Sequence, residues 1–214
     1  MTTSSTVQRI KAPRPAEGEV RVQVATVALS ALGTQLAGTV DAVARDSIGF
    51  ARGDRVAFRA PRPTPESTQT GRVIVEERDL IGVPADVSLD AAAGLFPCAL
   101  LARAVTRQVH TVGSGDRVEV RDTSALAPFI RAWVTHLGGA LVEGSADVVI
   151  TGDDIRAARA GRSAHGTAQQ SAADVFGAIR AGAFDGISFS TPEQARLGSR
   201  SPVLLHPAEV TLAA

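Results

Sequence analysis

The sequence has 214 residues, 44% hydrophobic and 21% charged, with 22 basic against 22 acidic side chains and a formal net charge of zero. That is enough chain to bury a core without covalent staples, and the balanced charge argues against capture of a nucleic-acid backbone. A single cysteine, Cys98, excludes an internal disulfide and a thiolate cluster, and nothing approaches the ~20 apolar residues of a membrane span.

The N-terminal stretch MTTSSTVQRIKAPRPAEGE lacks the apolar core of a signal peptide, so a cytoplasmic protein is expected. Lys11 is the only lysine, and tyrosine, a frequent proton donor in reductases, is absent. Residues 19–28, EVRVQVATVA, alternate apolar and polar positions and predict a strand with Val20, Val22, Val24 and Thr26 on one face. GTQLAGTVDAV (33–43) reads as a second strand, with Gly38 where a bulge or a close backbone approach would help. Gly53-Asp54 marks a turn before the short strand RVAF, and 61–71 is a Pro/Thr/Ser loop before a strand at 72–76. SLDAAAGLFPCALLARAVTR is helical in character, with Ser88 as its cap and Pro97 dividing it in two.

From residue 113 the pattern becomes strand, helix, strand: GSGDRVEV, PFIRAWVTHLGG, ALVEGSADVVIT. This is a βαβ unit, whose natural product is a parallel sheet. Pro128 suits the first helical turn, Asp122, Thr123 or Ser124 can cap it, and Gly138-Gly139 ends it. Residues 153–170 are polar and Gly/Ala-rich and carry no clear element; 172–184 reads as a short amphipathic helix, and the tail from Ile187 as two short strands around a polar turn.

Taken together, GEVRVQV, LAGTVDAV, GFARGDRVAF, VPADVSLDAAAGLFPCALLARAV, GSGDRVEV, HLGGALV, ADVVIT and AIRAGAFDGISFSTPEQARLGSRSPVLL resemble, in order, the medium-chain dehydrogenase/reductases, above all quinone oxidoreductases and polyketide synthase enoyl reductases. The resemblance implies an α/β plus β fold: a GroES-like β-barrel domain (1–100), a truncated Rossmann-like parallel βαβ domain (101–184) and a return to the barrel (185–214). It also implies a homodimer, with FDGISF (184–189) as the candidate edge.

Three departures from the family pattern shape the functional expectation. Ser124, Ala125, Leu126 and Ala127 stand where the family has a glycine-rich nucleotide turn, and Asp122 would set a carboxylate beside two phosphates. The loop after VATVALS is shortened, with Gln35 where an acidic residue is usual; the helix after LGGALVEG is missing. These losses lead to an expectation of no cofactor. Zinc ligands are absent too, since no two of His110, His136, His165 and His206 have ligand spacing.

The resulting expectation is a cofactor-independent cyclase or isomerase acting on a large apolar polyketide-type intermediate in an interdomain cleft. Its alternatives are an NADPH-dependent quinone or enoyl reductase and a non-catalytic binding or scaffold protein. Ser30, Gln35 and Thr123 are the candidate catalytic groups, as neutral hydrogen-bonding partners for a carbonyl or hydroxyl. Phe96, Cys98, Leu101, Asp122 and Ser124 are the candidate substrate contacts. Each has a plain structural reading as well: barrel packing for Ser30, Gln35, Phe96 and Leu101, a buried inert thiol for Cys98, and a helix-capping cluster for residues 122–124. Asp153-Asp154 is either a carboxylate pair at a site or a helix cap.

Overall fold

The computed structural model describes residues 13–30, 32–62, 70–161, 165–190 and 201–205, with the backbone alone for 165–170. Two sheets organise these residues. The larger is antiparallel and GroES-like, running β4 (Arg72–Glu76), β1 (Glu19–Ser30), β2 (Gly33–Val43), β3 (Arg55–Arg59) and β5 (Ile81–Gly82) in order. A further strand, β9 (Val203–Leu205), also pairs with β1. The smaller sheet is parallel, with β6 (Arg117–Val120) between β7 (Ala140–Leu141) and β8 (Val148–Ile150). This is the mixed architecture of an antiparallel barrel and a small βαβ unit.

Strand β1 is buried at every even position from Val20 to Ala28, but not on one face. Val20, Val22 and Val24 fill the barrel interior with Leu36, Val40, Val56 and Phe58. Ala28 belongs instead to the core shared with the helices, and Thr26 donates its hydroxyl to Asp90 Oδ1 at 2.6 Å. The switch comes from a bulge: Val24 pairs with Gly38 but Thr26 with Ala37, so Ala25 is an extra residue. One extra residue inverts the alternation, which corrects the expectation that Thr26 continues the face of the three valines. Gly38 lies opposite, where a Cβ would run into the Gln23 carbonyl.

Past the bulge, Ala37 and Ala57 put small side chains beneath two helices, α1 (Leu89–Gly94) and α2 (Phe96–Ala104). Ser88 Oγ caps α1 by accepting the Ala91 N–H at 3.0 Å, and Pro97 sits in the first turn of α2, whose path continues as a π turn over Val105–Val109. Helix α3 (Ala127–His136) connects β6 to β7, with Pro128 in its first turn and Gly138 reversing the chain at φ +80°. Its Trp133 donates Nε1–H to the Ala99 carbonyl at 2.6 Å, joining α3 to α2 through a buried bond.

The stretch 153–170 is mostly helical, contrary to the expectation of no clear element. It forms α4 (Gly152–Gly161) and the start of α5 (His165–Arg180), while 162–164 lie outside the described residues. In α4 only Ile155 and Ala158 are buried, so burial rests on a branched residue and an alanine rather than on a visible apolar stripe. The expected edge strand FDGISF is not a strand. Residues 184–186 are turn, and Phe184 is buried against Phe129 and Trp133 with ring centroids 6.0 Å apart in each pair. Of the two expected tail strands, the described residues hold β9 and a single bridge between Ser190 and Val203; 191–200 lie outside them. Among the described residues no helix is long and apolar enough to cross a membrane.

Candidate functional site

Two cavities hold the polar groups that could do chemistry. The larger, about 850 Å³, opens between the outer face of the barrel and helices α2, α4 and α5. Gln35 on β2 and Arg59 on β3 are cross-strand partners, so their side chains leave the sheet on the same side. Both line this cleft, with Ala57, Phe96 and Leu100 forming apolar wall. Phe96 is held by stacking on Phe176, ring centroids 4.8 Å apart and planes 27° from parallel, which suits an offset aromatic pair. Arg103 enters from α2 and is fixed by Asp174 Oδ2, which accepts from Nε at 3.0 Å and Nη2 at 2.6 Å, and by Ser171 Oγ at 2.9 Å from Nη1.

The smaller cavity, about 320 Å³, lies at the carboxyl end of β6, lined by Asp122, Thr123, Ser124, Arg131, Ile187 and Pro202 among others. Its floor is a local hydrogen-bond relay. Asp122 Oδ2 accepts the Ser124 N–H at 3.1 Å and its hydroxyl at 2.5 Å; Ser124 Oγ accepts the Leu126 N–H at 3.2 Å, and its carbonyl the Ala127 N–H at 3.1 Å. Arg121, one residue before, donates Nε and Nη2 to Glu119 at 2.8 and 3.0 Å. That hydrogen bond holds the Glu119 carboxyl below its ordinary value and the Arg121 guanidinium above its own.

The expected site residues are therefore divided. Gln35 and Phe96 share the large cleft, while Asp122, Thr123 and Ser124 share the small one. Ser30 lines neither: its Oγ accepts the Leu32 N–H at 3.1 Å and closes the β1–β2 turn. Cys98, 2% exposed, and Leu101, fully buried, also line neither and pack in the helical core. The eight residues do not line one cavity: Ser30 is taken up by the β1–β2 turn, and Cys98 and Leu101 are buried in the helical core.

Asp154 is a helix cap. Its carboxylate accepts the Thr151 N–H at 2.7 Å and hydroxyl at 2.9 Å, the reach-back of a capping box. His110 Nε2 lies 3.0 Å from its other oxygen. Burial pushes the Asp154 carboxyl up, but the Thr151 and His110 interactions outweigh it and hold the carboxyl below its ordinary value. Asp153 pairs with Arg156 on the same helix. His136 sits exposed, edge-on to Trp133; the His165 side chain and His206 lie outside the described residues. Among the described residues no three His, Cys, Asp or Glu side chains could hold a metal ion together.

The groups that sequence reasoning passed over are the arginines of the large cleft: Arg59, Arg78, Arg103 and Arg159. The signal for Arg59 was present, since alternation along RVAFR puts it on the face of Ala57. Arg103 and Arg159 lie on helices whose placement over the barrel depends on tertiary packing.

No protein-family model and no curated protein matches the sequence. Solved structures do. A 2-haloacrylate reductase matches with 23% identity and a TM-score of 0.53 over 72% of this chain and 50% of its own. The Escherichia coli quinone oxidoreductase complexed with NADPH matches with 17% identity and a TM-score of 0.52 over 72% and 51%. A mycobacterial quinone oxidoreductase in its native structure matches with 16% identity and a TM-score of 0.68 over 94% of each chain. The chain thus spans about half the length of the first two, and nearly the whole of the third. The fold is the one these oxidoreductase structures share. The expectation of a cofactor-independent cyclase or isomerase on a polyketide-type intermediate is contradicted: most of the matched structures are oxidoreductases, one of them complexed with NADPH, and they back the reductase alternative better.

Proposed function

We propose that the chain is an oxidoreductase that reduces a small acceptor with a conjugated carbonyl, of the quinone or enone class, held in the 850 Å³ cleft. The observation that carries this reading is the placement of the cleft: an aromatic and aliphatic wall with two neutral amides, Gln35 and Gln108, set between barrel and helices in a fold shared with reductases. The Phe96–Phe176 stack offers a flat acceptor a flat wall and keeps water from it, and Gln35 presents an N–H to a carbonyl oxygen on which negative charge would develop.

Nicotinamide dinucleotide is the donor that the matched folds imply. The turn after β6 does not fit its pyrophosphate in the usual manner. The N–H groups of Ser124, Leu126 and Ala127, which would face phosphate oxygens, are occupied by the Asp122–Ser124 relay and the Ser124 carbonyl, Asp122 adds a like charge, and Arg121 is committed to Glu119.

The test is acceptor-dependent loss of nicotinamide absorbance across a panel of quinones, enones and α,β-unsaturated acids, with NADPH and NADH each as donor. Turnover that falls in Phe96→Ala and Gln35→Ala supports the reading. Absence of turnover with every pair overturns it.

The barrel takes residues 1–100 and 185–214 and the βαβ unit 101–184, supported by the pairing of β9 with β1. The protein is a homodimer; with 184–189 removed as an edge, β7 is the candidate, because it ends the small sheet and its Leu141 is 44% exposed.

A further inference from the structure

The cleft that the proposed reductase reading uses has a charged mouth as well as an apolar wall. Arg59 from β3, Arg78 after β4, Arg103 from α2 and Arg159 from α4 bring four guanidiniums to one cavity. The acidic groups lining it are Glu19, Glu76 and Asp79. Glu76 is paired with Arg78, and Glu19 accepts the Ala16 N–H at 2.9 Å; Asp79 has interactions of its own. Arg103 is held by Asp174 and Ser171. Among the described residues, Arg59 and Arg159 form no ion pair.

Arg59 and Gln35 are register partners across β2 and β3, so both side chains leave the sheet on one face and both line the cleft. A guanidinium fork and an adjacent amide N–H make a row of donors that fits the two oxygens of a carboxylate. Behind that row, toward Phe96 and Leu100, the wall turns apolar. A neutral quinone uses the second feature and leaves the first idle.

We infer that the acceptor is an anionic molecule, an unsaturated carboxylic acid with a short apolar body, whose carboxylate is gripped by Arg59 and Gln35 and attracted by Arg159. The inference rests on the reductase reading for the identity of the cleft, but binding tests it without turnover.

The probes are 3-phenylpropanoate, its neutral analogue 3-phenylpropanamide, and inorganic phosphate, each titrated into the full chain by calorimetry with no nucleotide present. The acid is expected to bind at least about tenfold more tightly than the amide, the scale of a charge-assisted hydrogen bond. Arg59→Gln should abolish that preference and Arg159→Gln should reduce it, with thermal unfolding unchanged because both side chains are exposed. Equal binding of acid and amide, absence of binding by both, or an acid affinity indifferent to Arg59→Gln overturns the inference. Phosphate that displaces the acid and itself depends on Arg59 also overturns it, since the corner then belongs to a phosphorylated ligand. If the acid binds as described while no donor and acceptor pair turns over, the reductase reading fails and the carboxylate site stands.

Discussion

Asp41 is the extra residue of the second bulge in the β1–β2 pair, where Arg21 opposes Ala42 and Val22 opposes Val40. There it accepts Arg21 Nε on one oxygen and Arg72 Nε on the other, each at 2.7 Å, tying three strands together. Burial raises its carboxyl pKa, but the two hydrogen bonds and the charges behind them lower it further, so the net shift is downward. A carboxyl depressed in the folded state contributes stability above its unfolded pKa and loses it as pH falls through the folded value. Asp41→Asn is therefore expected to cost about 1 kcal/mol at neutral pH, discounted because Arg72 is partly exposed, and to cost less as pH drops below the ordinary carboxylate range. Denaturant unfolding at several pH values checks this; a cost unchanged down to strong acid would contradict it. Trp133 provides a second test. Trp133→Phe removes the buried indole donor to the Ala99 carbonyl and part of the packed ring, an expected loss of about 2–4 kcal/mol measured by thermal unfolding.

The bulge at Ala25 lets β1 serve two cores in succession, and Gly38 is the residue across from it that permits the close approach. A Cβ at Gly38 would strike main chain, the Gln23 carbonyl, and cannot be relieved by rotating a side chain. Gly38→Ala is expected to destabilise by about 2 kcal/mol or more, while Gly53→Ala, with open space around its Cβ and a positive φ, should cost about 1 kcal/mol. Equal costs would refute the close-approach account. Gly38 was legible in the sequence as a break in a strand; the face switch at Thr26 was not, because every even residue remains apolar or small through the bulge. Likewise α1, α2 and α3 announced themselves through Ser88, Pro97, Pro128 and Gly138, whereas α4 buries too little for its periodicity to show. The cleft was half legible. Gln35 and Phe96 could be named, but the arginines facing them come from elements far apart in sequence.

At the scale of the whole molecule, the parallel sheet has three strands and the two outer ones are short. Among the described residues both edges offer unpaired main-chain groups to a second copy, and the exposure of Leu141 favours β7. Light scattering is expected to give about twice 22.1 kDa for the native chain, and Leu141→Asp to shift it toward the monomer. A native chain at monomer mass across micromolar concentrations would remove the dimer.

Strand β1 has one long edge shared by two successors: β4 covers Glu19–Gln23, and β9 covers Val27–Leu29. During synthesis the first of these partners emerges soon after β1, but the second waits until residue 205 has left the ribosome. Half of that edge therefore stays open through translation of the entire βαβ unit, a natural docking place for a chaperone or a neighbouring nascent chain. Barrel closure becomes the slow, long-loop step of folding. A chain halted before residue 203 should accumulate in chaperone-bound or aggregated form even though its βαβ unit is complete.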